Sequence, residues 1–166
     1  PTLSVTRAFD YLAAHGAPSY QVVKLRVAAN YHEDSIRRAI VRDVKIAVGT
    51  DLPPSDPVDG TNATVYEMEC LVHAGMTPIK AINAATGNAA ELCGIHNKTG
   101  TLTAGKLADV IVVEGKPDQN IRDMRNLRMV AKSGSLVWSK IPGYERQVLQ
   151  AVLPTTECGG GTFKKW

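Results

Sequence analysis

The sequence predicts an α/β protein in which helices alternate with strands and a group of short strands follows. Residues 44–49 form a short run with β-branched residues at alternate positions, directly after a long helical pattern, as expected of a strand in a βαβ unit. Beyond Thr99 the apolar spacing of three and four residues gives way to short strand-like runs. Because a long helical crossover favours parallel pairing, residues 1–5 and 44–49 are predicted to be neighbouring parallel strands.

Two helices are predicted between these strands. The first extends from about Arg7 to Ala14 and stops at Gly16, because glycine readily adopts the left-handed conformation that closes a helix. The second covers residues 20–42. Its apolar face is interrupted at residues 30–34, where we expect a weak point or a break.

Two further helices are predicted after the second strand. Apolar residues recur at three- and four-residue intervals between positions 65 and 72, which indicates an amphipathic helix. Thr77 and Pro78 then form a helix start, a capping hydroxyl followed by proline at the first helical position. This helix is predicted to restart near residues 86–88 and to close at Gly94.

Three strands are predicted in the last third of the chain. Residues 110–113 are a four-residue apolar run, which is typical of a buried strand. Residues 128–132 and 135–138 flank Ser133 and Gly134, a connection typical of a β-hairpin.

Length and composition exclude several classes of protein. The 166 residues are 44% hydrophobic and 21% charged, and no apolar run approaches the ~20 residues of a membrane helix. The net charge is +3 with basic residues scattered among acidic ones, so neither a nucleic acid nor a membrane is expected as a partner. The three cysteines are odd in number and far apart, which favours a reducing, cytoplasmic compartment.

Asp51 is the candidate catalytic and metal-binding residue. It follows Gly49 and Thr50, which end the predicted strand, and the carboxyl ends of strands are where ligands bind in α/β proteins. The loop after it, residues 52–60, is rich in proline, aspartate and glycine and suits the wall of a pocket. An aspartate after a strand also caps a turn or helix about as often as it binds a metal, so both roles stay open on this pattern alone.

Other polar residues are assigned structural roles by their positions. Asp109 precedes a strand as a turn residue, and His73 lies in the last turn of a helix, where positive charge suits the helix dipole. Asn62 is expected to cap a helix and Tyr66 to pack, with contact to substrate in the intact parent as the less favoured alternative for both. His96 lies in a polar surface turn.

Several motifs in series resemble the C-terminal part of the metal-dependent amidohydrolase superfamily, in particular its imidazolonepropionase-like and Xaa-Pro dipeptidase or carboxypeptidase-like branches. The resemblance spans about residues 1–138. The segments that carry it are a strand ending in Gly-Thr-Asp51 and the stretches 67–78, 81–94, 99–113 and 127–137.

The resemblance implies the C-terminal part of a TIM-like (β/α)8 barrel, about its last two strands with their helices, joined to part of a small β-sandwich. The implied domains are residues 1–97 for the barrel part, 98–140 for strands of a composite β-sandwich and 141–166 for a tail with no assigned function. A complete barrel needs about 250 residues, so a length of 166 independently favours a fragment.

By resemblance, Asp51 binds zinc or a similar divalent ion in the intact parent. The family's His-x-His pair and its further lysine or glutamate and histidine ligands have no counterpart here, since the four histidines are widely spaced. Catalytic zinc usually takes three protein ligands, so we expect this chain alone to bind zinc weakly or not at all and to be inactive.

The intact parent is expected to hydrolyse a C–N amide bond of a small molecule, namely a dipeptide-like, N-acyl amino acid or cyclic amide substrate. The alternative is a non-catalytic fragment that is stable only by association with its own copies or with a separate N-terminal chain. Unpaired strand edges favour such association, so a homo-oligomer is expected as well as pairing with the missing N-terminal part.

Overall fold

The computed structural model describes residues 1–14, 16–51 and 63–144. Within these ranges the chain forms six α-helices, then three strands with a 3-10 helix between the first two. None of the described helices combines the length and the apolar composition that crossing a membrane requires. The elements are α1 Leu3–Arg7, α2 Phe9–Ala14, α3 Ser19–Val41, α4 Ala63–His73, α5 Pro78–Ala85, α6 Gly87–Leu92, β1 Val110–Val113, the 3-10 helix Ile121–Arg125, β2 Leu127–Lys132 and β3 Ser135–Ser139.

The predicted strand at residues 1–5 is wrong, because the chain is helical from Leu3 to Arg7. The backbone N–H groups of Leu3 and Ser4 donate to the carboxylate of Glu67, at 3.0 and 2.6 Å. The first turn of a helix leaves such donors without an intrahelical partner. The Glu67 side chain therefore accepts the N–H groups that were expected to pair with a neighbouring strand.

The predicted strand at residues 44–49 has no sheet partner in the described ranges, so the predicted parallel pair is wrong as well. The N–H of Gly49 donates to the carbonyl of Pro1 at 3.2 Å, and the N–H of Val48 donates to the carbonyl of Ala84 at 2.9 Å. These single bonds do not form a ladder, because sheet pairing needs bonds repeated along both strands. The segment is nevertheless held between the start of the chain and α5.

The predicted helices are confirmed, with two changes. The first predicted helix is divided into α1 and α2, with Ala8 as the C-cap of α1. The long helix α3 has no break at residues 30–34. Glu33 is 9% exposed there and accepts a hydrogen bond from Arg37 one turn later at 2.6 Å, which supports the helix where its apolar face is interrupted.

The predicted helix start at Thr77 and Pro78 is confirmed. The hydroxyl of Thr77 accepts from the N–H of Lys80 at 3.4 Å, and Pro78 is the first residue of α5. The predicted restart is confirmed too, because Thr86 separates α5 from α6.

The apolar core joins α1, the segment before Asp51, α4, α5 and the 3-10 helix. Leu71 of α4 is fully buried, and Ile46 carries the extended segment into the same cluster. Because Ile46 is anchored in the core, the end of the extended segment 44–49 is held in place, and Asp51 follows two residues later. Its buried members are Leu3, Ile46, Met68, Cys70, Leu71, Met76, Ala81, Ala84 and Ile121.

The three strands form an antiparallel sheet in the order β1, β2, β3. The predicted hairpin is confirmed: Ser133 and Gly134 have φ values of +49° and +79°, as a type I′ turn requires. The apolar run of β1 is typical of a buried strand, and exposed apolar strand faces are expected here because the strands that cover this face in the family would be absent. Ile111 is 49% exposed and Val112 is 37% exposed, which agrees with that expectation. In the described part of the chain β1 and β3 each pair only with β2, and no second layer covers these side chains.

Some predictions fall outside the described residues. They concern the loop 52–60, Asn62 and the tail beyond residue 144. The division into domains 1–97, 98–140 and 141–166 stays a prediction.

Candidate active site around Asp51

Asp51 lies directly after the extended segment, with an exposed side chain and a φ of +55°. A positive φ is uncommon for residues other than glycine, although aspartate tolerates it better than most. The backbone therefore adopts a specific and unusual conformation at the predicted site residue.

The residues just before Asp51 are tied to the start of the chain. The hydroxyl of Ser4 donates to the carbonyl of Thr50 at 3.3 Å, and the N–H of Gly49 donates to the carbonyl of Pro1 at 3.2 Å. Ser4 itself is fully buried. Two bonds from the first four residues thus hold the last two residues before Asp51.

A buried carboxylate, Glu67, lies behind this contact and was missed from the sequence. Its side chain is fully buried on α4 and accepts the N–H groups of Leu3 and Ser4. Removal from water raises its pKa above the usual glutamate value, and the hydrogen bonds from Ser4 and Leu3 oppose that rise without cancelling it.

The spacing of residues in the sequence could have predicted the burial of Glu67. Cys70, Leu71 and Ala74 follow it at intervals of three, four and seven residues, and all four residues are buried. Residues at these intervals share one face of a helix. An acidic residue on the apolar face of α4 therefore pointed to a buried carboxylate with specific partners.

The described residues do not complete a metal site. Among residues 1–14, 16–51 and 63–144, no group of three or more His, Cys, Asp and Glu side chains is arranged to hold a metal ion. His32 contacts the hydroxyl of Thr6 at 3.3 Å, and His73 lies 3.6 Å from the carboxylate of Glu33. Asp51 has the right chemistry for one oxygen ligand, but zinc in a catalytic site usually takes three protein ligands.

The structural roles predicted for Asp109 and Tyr66 are confirmed. The carboxylate of Asp109 accepts the N–H of Ser133 at 2.8 Å and the hydroxyl of Thr99 at 3.2 Å. The bond from Ser133 is the main reason why the pKa of Asp109 is lowered. Tyr66 packs against the core, and its burial raises the pKa of its phenol.

The two described cysteines differ in environment. Cys70 is buried in α4, and burial together with the nearby charge of Glu67 raises its pKa to about 12. Cys93 lies on a predicted helix with apolar neighbours, which predicts a small hydrophobic residue in the core, but it is the C-cap of α6 and is exposed.

An open, mostly apolar groove lies between α5, α6 and β1. Several large apolar side chains in it are substantially exposed, including Ile79 at 58%, Leu102 at 87% and Ile111 at 49%. We call this surface the apolar groove. Contiguous exposed apolar surface of this kind occurs at interaction sites, in ligand-binding grooves and on surfaces that promote aggregation.

Comparison with known proteins identifies the class. Residues 5–137 match the amidohydrolase family, and the chain belongs to this family. It is 35% identical over 140 residues to the ochratoxinase of Aspergillus niger, and 32% identical over 96 residues to the imidazolonepropionase of Symbiobacterium thermophilum. The resemblance to the amidohydrolase superfamily predicted from the sequence motifs is therefore confirmed.

Solved structures support the same assignment. A Xaa-Pro dipeptidase crystallised with bound methionine is 33% identical and superposes with a TM-score of 0.68, covering 81% of this chain and 33% of that one. The A. niger ochratoxinase structure gives a TM-score of 0.65, covering 81% and 30%. The sequence match to ochratoxinase covers 81% of this chain and 28% of that protein. The chain thus spans about a third of these relatives or less.

Proposed function

We propose that this chain is the C-terminal part of a larger metal-dependent amidohydrolase that hydrolyses a C–N amide bond. The observation that carries the proposal is the position of Asp51, in a specific backbone conformation at the end of a segment anchored in the core. Membership of the amidohydrolase family and the one-third coverage of relatives support it. The parent fold would be a TIM-like barrel, with this chain supplying C-terminal helices, the extended segment that ends at Asp51 and part of a β-sandwich.

Asp51 is the proposed metal ligand and catalytic residue. A bound divalent ion would lower the pKa of a coordinated water towards ~7 and polarise the amide carbonyl. The Asp51 carboxylate would orient the water, accept its proton and pass that proton to the leaving nitrogen. Because Asp51 is exposed and directly follows the anchored segment, its oxygens are accessible while its backbone is held. The remaining ligands would come from the part of the enzyme outside this chain.

The proposed substrates are small amides: dipeptide-like compounds, N-acyl amino acids or cyclic amides. Similarity to a Xaa-Pro dipeptidase supports the first, and similarity to an imidazolonepropionase keeps the last as a candidate. A panel of the three amide classes, assayed with the full-length enzyme, distinguishes between them.

The test of this function is Asp51→Asn in the full-length enzyme, with Asp109→Asn as the matched control. We expect the first substitution to lower kcat by at least ~10²-fold, the lower range for losing a proton-transfer group. Asp109 has a turn role, so its variant should keep kcat within a few-fold of the parent. A kcat for Asp51→Asn equal to that of the control would overturn the proposal.

A second candidate is that the chain as it stands is non-catalytic and stable only by association. The observation that favours it is the apolar groove, together with the described edges of β1 and β3 that have no partner strand. The test is the solution mass of the purified chain. Association predicts a species well above 17.8 kDa, whereas a monomer with sharp cooperative unfolding contradicts it.

A further inference from the structure

A chain of hydrogen bonds leads from the buried carboxylate of Glu67 to the peptide group that precedes Asp51. The Oε2 atom of Glu67 accepts the N–H of Ser4 at 2.6 Å, and Ser4 Oγ donates to the Thr50 carbonyl at 3.3 Å. Both Glu67 and Ser4 are fully buried, so bulk water does not compete for these bonds.

The carbonyl of Thr50 has direct influence on Asp51, because the two belong to one planar peptide group. A peptide plane carries the carbonyl of one residue and the nitrogen of the next as a rigid unit. The φ of Asp51, which is +55°, is the rotation of Asp51 relative to this peptide plane. Holding the Thr50 oxygen therefore fixes the orientation from which Asp51 projects. A small rotation of that plane would move the Asp51 carboxylate relative to the metal ion that it is proposed to bind.

We propose that Glu67 is a positioning residue that acts through Ser4 and Thr50 to fix the orientation of Asp51. The inference rests on the proposed function of Asp51. It assigns the buried carboxylate a task beyond satisfying two N–H groups of α1.

Removing the Ser4 hydroxyl distinguishes two possible roles of Glu67, positioning Asp51 and capping α1. Glu67 bonds to the backbone N–H of Ser4, so Ser4→Ala keeps that cap, while it removes the link to Thr50 and the side-chain hydrogen bond of Ser4 to Glu67. Capping alone predicts that Ser4→Ala has no functional effect. Positioning predicts that Ser4→Ala and Glu67→Gln impair the site in the same way.

A matched control is available on the same helix. Glu69 is largely buried and pairs with Arg125 through two hydrogen bonds of 2.7 and 3.0 Å. Glu69→Gln makes the same chemical change on α4 without touching Ser4 or Thr50. Any general loss of stability in α4 should therefore appear in this variant as well.

The experiment measures zinc affinity by competition with a chelator, together with kcat and KM, in the full-length enzyme. Removing groups that orient a metal ligand typically costs 10–100-fold in metal affinity or activity. We expect Ser4→Ala and Glu67→Gln to lose about tenfold or more in zinc affinity and kcat, with KM changed less than threefold. Glu69→Gln should keep its zinc affinity and kcat within twofold of the parent.

Two results overturn the inference in distinguishable ways. If Ser4→Ala keeps zinc affinity and kcat within twofold of the parent while Asp51→Asn loses both, only positioning fails. If Asp51→Asn itself keeps both, the proposed function fails and the inference with it. Should Glu67→Gln not fold, Ser4→Ala alone decides, because it leaves the buried carboxylate and its backbone bonds in place.

Discussion

The core lies around α4 and β1 is exposed, and paired substitutions to alanine test both features. Leu71 is fully buried in the core, whereas Ile111 of β1 is 49% exposed. Leu71→Ala and Ile111→Ala each remove three carbons from an apolar side chain. The two variants therefore differ in the burial of the carbons removed rather than in their number.

The expected magnitudes follow from burial. A buried CH₂ contributes about 0.8 kcal/mol, so the three carbons of Leu71 contribute roughly 2.4 kcal/mol. The cavity left in a packed core adds to this, which gives about 3–4 kcal/mol for Leu71→Ala. For Ile111 about half of the transfer contribution applies and solvent fills the space, so we expect about 1 kcal/mol.

The assay is urea-induced unfolding of the 166-residue chain, followed by circular dichroism. Equal m-values in the variants and the parent would show that the midpoints report stability alone. A loss for Ile111→Ala as large as that for Leu71→Ala would refute an exposed β1, because it would mean that another segment or another copy covers this face. A loss below about 1 kcal/mol for Leu71→Ala would refute the position of the core.

The remaining predictions concern two thiols, a buried acid and a turn. With Cys158 replaced by serine, a maleimide should label Cys93 rapidly and Cys70 only after unfolding, because burial raises the pKa of Cys70 to about 12. Mass spectrometry of the labelled peptides checks this, and native labelling of Cys70 would contradict its burial. The raised pKa of Glu67 means that the folded state binds its proton more tightly than the unfolded state. The free energy of unfolding should therefore fall as the pH rises from about 4.5 towards that raised pKa, and urea titrations at several pH values should show no such fall for Glu67→Gln. Gly100 has a φ of +93°, and a Cβ there would overlap a side chain of α6, so Gly100→Ala should cost about 2 kcal/mol or more in the same unfolding assay. A neutral result would contradict the packing of this turn.

Local chemistry accounts for the elements that were predicted well. Thr77 and Pro78 start α5 because a hydroxyl cap and a fixed proline φ suit the first turn of a helix. Ser133 and Gly134 form the hairpin because both adopt the positive φ that a type I′ turn requires. In both cases the information lies within a few residues.

Elements that depend on residues far along the chain could not be predicted from local patterns. Residues 1–5 were predicted as a strand, but Glu67, up to 64 residues away, accepts the N–H groups that begin α1. The four-residue pattern at 110–113 does not encode burial by itself, because burial depends on a covering layer, and Ile111 and Val112 are exposed as expected when that layer is absent. The position of Asp51 after an extended segment was predictable, while its ligand and catalytic roles stay predictions.

Anomalous diffraction at the zinc edge, from crystals of the proposed full-length enzyme, would show directly whether Asp51 binds the metal. We expect a metal ion with a carboxylate oxygen of Asp51 at about 2.0–2.2 Å, the usual zinc–carboxylate distance. A fully occupied metal site that excludes Asp51, in an enzyme that hydrolyses amides, would contradict the role assigned to this residue.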